Sequence, residues 1–308
     1  MPGRNKEEKV DISLRAKMIR GAVSEFNKNS FLKNHFVNGD RNVSDIDKHY
    51  KYSDDYQAIR CDLPDFPMEL LEKKGSQSPW IILQLHGGGY VNAFKHQYRG
   101  MAKNYSIAAG GAKVLTIDYR VAPEHTFPAA FDDGVAAYEW LLSQGYRNEN
   151  IILAGDSAGG GLAMAVCHYL RDNDKPIPRA IIAMSPWTDL AATGESYTSN
   201  VAIDPIFGSG PSDIINKSSY IGEAEVTNPY ISPLYGDFTG FPTMLIQVGT
   251  HEMLFSDADL VAAKAKAADV EVTYTIYEGM FHVFQLVGQL MPESRKAWEE
   301  VEAFIQSL

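Results

Sequence analysis

From about residue 80 onward, apolar positions along the chain follow two alternating patterns. Short unbroken runs, such as Trp80-Ile81-Ile82-Leu83-Gln84-Leu85, are followed by longer stretches with apolar residues three or four positions apart. An unbroken run suits a strand buried on both faces, and the wider spacing suits a helix with one buried stripe. The strands predicted are 80–85, 113–119, 151–154, 180–184, 243–248 and 272–277. Helices are expected at about 96–109, 129–144, 158–172, 256–268 and 293–307, with Pro128 and the Ser256-Asp257 pair as start signals. Such alternation predicts an α/β fold with a mostly parallel sheet flanked by helices.

Two regions break the pattern. Residues 1 to about 55 are polar, with Ile12, Leu14, Met18, Ile19 and Val23 spaced for an amphipathic helix. Next, 57–63 and 67–71 read as a strand pair around Pro64-Asp65-Phe66. The stretch 188–230 is rich in Ser, Thr, Gly and Pro, with one short helix expected near 212–220. A long irregular stretch inside a compact α/β domain usually serves function. We read it, with about 1–50, as a helical cap on a single domain spanning 1–308.

Composition narrows the partners. The 308 residues are 45% apolar and 22% charged, as in an ordinary globular protein. A net charge of −11 argues against nucleic acid and anionic membrane surfaces. Cys61 and Cys167 are the two cysteines, too few for a disulfide framework or a zinc pattern. The first residues are charged and lead into no apolar core of a signal peptide, and no stretch is long enough to span a bilayer. A cytoplasmic location is expected.

Candidate chemistry begins at Ser157, in Gly155-Asp156-Ser157-Ala158-Gly159. It sits between a predicted strand and a predicted helix, and this spacing is that of a nucleophile elbow. Such a turn exposes the serine Oγ beside a helix N-terminus, where developing negative charge is favoured. His86-Gly87-Gly88-Gly89-Tyr90 ends the strand 80–85, and its consecutive glycines let backbone N–H groups converge on an oxyanion. Alone, that loop could be an ordinary glycine-rich turn; beside an elbow it reads as an oxyanion hole. His282 lies just beyond the last predicted strand, where a base can reach a serine on a central strand. Glu252 and Asp257 are the candidate acids. Glu252, on the loop after a strand, fits the order serine, acid, histidine; Asp257 stands at a helix start, where capping would explain it.

Taken together, HGGGY at 86–90, DYRVAPEHTFPAAFDD at 118–133, GDSAGG at 155–160, SPWTDL at 185–190 and GMFHVF at 279–284 resemble the hormone-sensitive-lipase-like esterases. The similarity runs over about 57–305 and implies an α/β-hydrolase fold. It also implies Ser157 as nucleophile, His282 as base and Glu252 as acid, with Gly88, Gly89 and Ala158 as backbone oxyanion donors. His86 and Asp156 would shape the loop and the elbow, while Glu124 and His125 would organise the surroundings. Glu252-Met253-Leu254 departs from the family's usual Asp-Pro-Leu, so the acid carries one extra methylene.

The resemblance implies a carboxylesterase for small-molecule esters of short acyl chains, acetyl to about hexanoyl, needing no metal or organic cofactor. Tyr90, Phe94, Phe207, Leu254 and Phe281 are candidate pocket walls. Alternatives are a deacetylase of acetylated sugars, a hydrolase of amides or lactones, and a ligand-binding receptor without turnover. The receptors that share this fold have lost the histidine, which is present here. Relatives pair their last strands, and 272–277 alternates like an exposed edge, so a homodimer is expected.

Overall fold

The computed structural model describes residues 12–28, 41–208 and 218–308. An eight-stranded sheet runs through it: β1 (Tyr56–Arg60), β2 (Met68–Lys73), β3 (Ile81–Leu85), β4 (Lys113–Ile117), β5 (Ile151–Asp156), β6 (Ala180–Met184), β7 (Thr243–His251) and β8 (Val272–Phe281). Strand order is β1-β2-β4-β3-β5-β6-β7-β8. β2 is antiparallel to both neighbours, and from β4 to β8 every pairing is parallel. The fold is that of an α/β hydrolase, with β5 near the middle and β8 at an edge.

Among the described residues the helices are α1 (Leu14–Lys28), α2 (Gln97–Ala108), α3 (Ala129–Ser143), α4 (Ala158–Asp172), α5 (Ser196–Ser199), α6 (Phe255–Ala267) and α7 (Pro292–Gln306). Successive strand residues point to opposite faces, so an apolar run feeds two cores at once. Ile82, Val114, Ile152 and Ile182 pack under α2 and α7 with Tyr105, Trp298 and Phe304. Ile81, Leu83, Leu115, Leu153 and Ile181 pack on the other face with residues of α3, α4 and α6. This two-sided burial explains why the strands read as continuous apolar runs.

Several boundaries differ from expectation. β7 and β8 run on to His251 and Phe281 through a bulge between Gly249 and His251, beyond the expected ends at 248 and 277. Ile12, just before α1, and Ile19 and Val23 within it pack on a cluster with Phe281 and Phe284, as does Ala16. Leu14 and Met18 are 75% and 68% exposed and fall on the opposite face. The helix expected near 212–220 falls largely outside the described residues; within 188–208 the chain forms α5 instead.

Candidate active site

β5 ends at Asp156 and α4 begins at Ala158, leaving Ser157 alone in the turn. Its φ of 52° and ψ of −124° lie where a residue with a Cβ is strained. A bond from Ser157 N–H to the Met184 carbonyl, 2.9 Å, helps to hold that conformation. Close approach of strand and helix makes two glycines obligatory. A Cβ on Gly155 would overlap the Gly159 carbonyl, and one on Gly159 would overlap the carbonyls of Leu85 and His86.

Three distant segments meet at this turn. His282 Nε2 lies 2.9 Å from Ser157 Oγ, and its Nδ1 lies 3.0 Å from Glu252 Oε2. The other Glu252 oxygen, Oε1, accepts from the Ser185 hydroxyl at 2.8 Å and from Gly249 N–H at 2.6 Å. Glu252 is fully buried. Burial raises its pKa, opposed by the hydrogen bond and charge of His282, then by Gly249 N–H and the Ser185 hydroxyl. With Nδ1–H donated to the carboxylate, Nε2 presents its lone pair to the serine hydroxyl.

Asp257 takes a different place. It lies in the first turn of α6 and caps a neighbouring turn, not its own helix. Its Oδ2 accepts from Thr188 N–H at 2.7 Å and Asp189 N–H at 2.8 Å. Complete burial pushes this carboxyl up to about 8.

The glycine loop lies against the elbow. Gly88 and Gly89 have φ of 121° and 65°, a backbone path open to residues without a Cβ. Gly87 N–H donates to Asp156 Oδ1 at 3.1 Å, which ties the loop to the residue before the serine. Among the described residues, the N–H groups of Gly88, Gly89 and Ala158 have no protein acceptor. Burial pushes the Asp156 carboxyl up to about 7. His86 is fully buried, its ring stacked 4.1 Å from that of Tyr119, and its Nδ1 lies 2.7 Å from the Gly87 carbonyl. Desolvation lowers its pKa, so it is a neutral structural ring. Glu124 and His125 are exposed; Glu124 accepts both hydrogen bonds of the Asn42 amide at 2.9 Å.

Of the five wall candidates, Phe207 is the one in ring contact with His282, 4.9 Å between centroids. Tyr90 follows the loop but is stacked on Tyr220 at 4.0 Å and buried. Phe94 is core: it packs with Tyr98 and Met101 on the α2 side of the sheet, beneath the Arg99 guanidinium. Leu254 is fully buried in the opposite core, and Phe281 belongs to the cluster under α1. Proximity in sequence to a motif does not determine which face of a strand or turn a side chain takes. Sequence reasoning assigned no role to Ser185, although it opens the SPWTDL segment at the end of β6, next to the elbow. Its φ of 47° and its bond from Val283 N–H, 3.1 Å, also went unforeseen.

A family model described as the alpha/beta hydrolase fold matches residues 82–286. The chain is 40% identical over 227 residues to an acetyl-hydrolase of Streptomyces hygroscopicus, covering 73% of this chain and 75% of that one. It is 32% identical over 236 residues to an esterase of Acinetobacter venetianus, covering 77% and 78%. It also superposes with a TM-score of 0.82 on the crystal structure of an esterase from the bacterial hormone-sensitive lipase family. That match is 34% identical and covers 97% of this chain and 99% of that one. The chain therefore belongs to the α/β-hydrolase fold family and, within it, to the hormone-sensitive-lipase esterases, which are serine carboxylic ester hydrolases.

Proposed function

We propose that this esterase hydrolyses short-chain acyl esters, acetyl to about hexanoyl, through a Ser157-His282-Glu252 triad and an acyl-enzyme. The observation that carries this reading is the chain of two hydrogen bonds, 2.9 and 3.0 Å, from Ser157 through His282 to Glu252. His282 Nε2 takes the hydroxyl proton as Oγ bonds to the ester carbonyl carbon. The carbonyl oxygen, now an oxyanion, accepts from the N–H groups of Gly88, Gly89 and Ala158. As the carbon–alkoxy bond breaks, His282 returns the proton to the leaving alcohol. Water then repeats the attack on the acyl-enzyme, releasing the carboxylic acid and restoring Ser157. Glu252 fixes the imidazole tautomer and stabilises its charged form. No step draws on a metal or organic cofactor.

The printed name of the Streptomyces relative, acetyl-hydrolase, supports the short end of this acyl range. Acetylated sugars are natural candidates within it. A non-catalytic receptor is disfavoured by the intact serine–histidine contact. We read about 1–50 and 188–230 as a cap, parts of which lie outside the described residues; within these, the reading is supported by Phe207 on His282 and by Arg20 Nη1 donating to the Gly279 carbonyl at 2.7 Å. Homodimerisation through β8 is part of the same proposal, supported by its edge position and by Ile276, which is 40% exposed. The activity is tested with p-nitrophenyl acetate, butyrate and octanoate, on the wild type and Ser157→Ala. Turnover of the two shorter esters by wild type alone is expected; equal turnover by Ser157→Ala contradicts the triad.

A further inference from the structure

Glutamate has one more side-chain torsion than the aspartate usual at the acid position. Its carboxylate therefore stays on the histidine only if the backbone beneath it is held. The peptide plane following Glu252 is held at both ends by one segment. Asn200 Nδ2 donates to the Glu252 carbonyl at 2.8 Å, and Asp204 Oδ2 accepts from Met253 N–H at 2.7 Å. One turn earlier, Ser196 Oγ donates to the Met253 carbonyl at 2.6 Å and accepts from Ser256 N–H at 2.9 Å.

Spacing explains the arrangement. Ser196, Asn200 and Asp204 lie four residues apart, and the chain between them keeps a helical period past the end of α5. Asn200 N–H donates to the Ser196 carbonyl at 3.1 Å, and Asp204 N–H to the Asn200 carbonyl at 2.9 Å. Side chains at that interval share one face. The remaining Asp204 oxygen accepts from Ile206 N–H at 2.7 Å and Phe207 N–H at 3.0 Å. Phe207 in turn leans on the His282 ring. A single carboxylate, 4% exposed, thus touches the support of both the acid and the base.

We propose that Asp204 is a positioning residue for the reaction, clamping the Glu252–Met253 peptide plane so that the acid meets His282. This rests on the triad reading given above. The 196–208 segment then does more than cover the site, because it holds the acid in register.

The test is a double-mutant cycle with Asp204→Asn and Glu252→Gln, assayed on p-nitrophenyl butyrate and referenced to active sites titrated with diethyl p-nitrophenyl phosphate. An amide cannot supply both acceptor oxygens, so Asp204→Asn is expected to lower kcat about tenfold or more with KM within about twofold. In the Glu252→Gln background the same change is expected to alter kcat by less than about twofold, since the residue it acts through is already disabled. Wild-type kcat in Asp204→Asn overturns the proposal, as does an equal loss in both backgrounds, which would mark a merely structural role. If circular dichroism shows Asp204→Asn unfolded, Asn200→Ala removes the other end of the clamp and carries the same cycle. Ser157→Ala runs alongside: retained activity there sinks the triad, whereas a dead Ser157→Ala with an unaffected Asp204→Asn sinks only this inference.

Discussion

The two oxygens of Glu252 have different partners, and this division makes the role of each neighbour measurable. Oε2 serves His282, while Oε1 is held by Ser185 and Gly249. Ser185→Ala removes a donor that favours the ionised carboxylate. The Glu252 pKa should rise further, and because the ionised form supports the imidazolium, activity should be lost at a higher pH as pH falls. We expect kcat/KM down about tenfold near neutrality and an acidic limb displaced upward, read from a pH–rate profile. Ser157→Ala should lower kcat by about four to six orders of magnitude. Asp257 provides a stability test. Its folded pKa of about 8 lies above the ordinary aspartate value, so the folded state binds the extra proton between the two. Stability should therefore fall as pH rises through that window. Asp257→Asn can keep an acceptor for Thr188 and Asp189 while removing the titration, so its melting temperature should be flatter than wild type's from pH 5 to 9. A parallel decline in both would contradict this. That Ser157, His282 and Glu252 come together was legible in the sequence, because their place after a strand is itself the signal. Ser185 and Asp204 were not, because the bonds that tie them to Glu252, Met253 and Val283 span 49 to 98 positions, which spacing does not encode.

Elements were legible where both faces are buried. β6 and α4 were expected at the residues where they occur, because an unbroken apolar run and a small-residue helix leave few alternatives. β8 was expected to end at Tyr277, yet the strand continues to Phe281. There the chain passes α1: Gly279 has a φ of 69°, and a Cβ on it would lie 2.7 Å from Ile12 Cγ2. The amphipathic reading of α1 caught its inner face but included Leu14 and Met18, which project outward. The element-level prediction concerns the elbow, where strand and helix touch through Gly159. Gly159→Ala places a methyl against two backbone carbonyls that cannot move apart without parting β3 from α4. A loss of about 3 kcal/mol in urea unfolding is expected, with esterase activity lost as well; wild-type stability would refute the close-approach argument.

At the scale of the molecule, the sheet carries the elbow on a central strand and leaves β8 at an edge. A long edge strand invites pairing, and a second β8 satisfies it without new side chains. Light scattering should give twice the 34.1 kDa chain mass, and Ile276→Lys should shift it toward one chain. A single-chain mass in the wild type would end the dimer proposal. Among the described residues no helix is long and apolar enough to cross a membrane. The central claim remains that Ser157 is the nucleophile of this esterase. Its most direct test is mass spectrometry of the protein after reaction with a fluorophosphonate, alongside residual turnover of p-nitrophenyl butyrate. One adduct per chain on the Ser157 peptide, with activity lost in proportion, is the expected result; an adduct elsewhere, or full activity with Ser157 labelled, would contradict it.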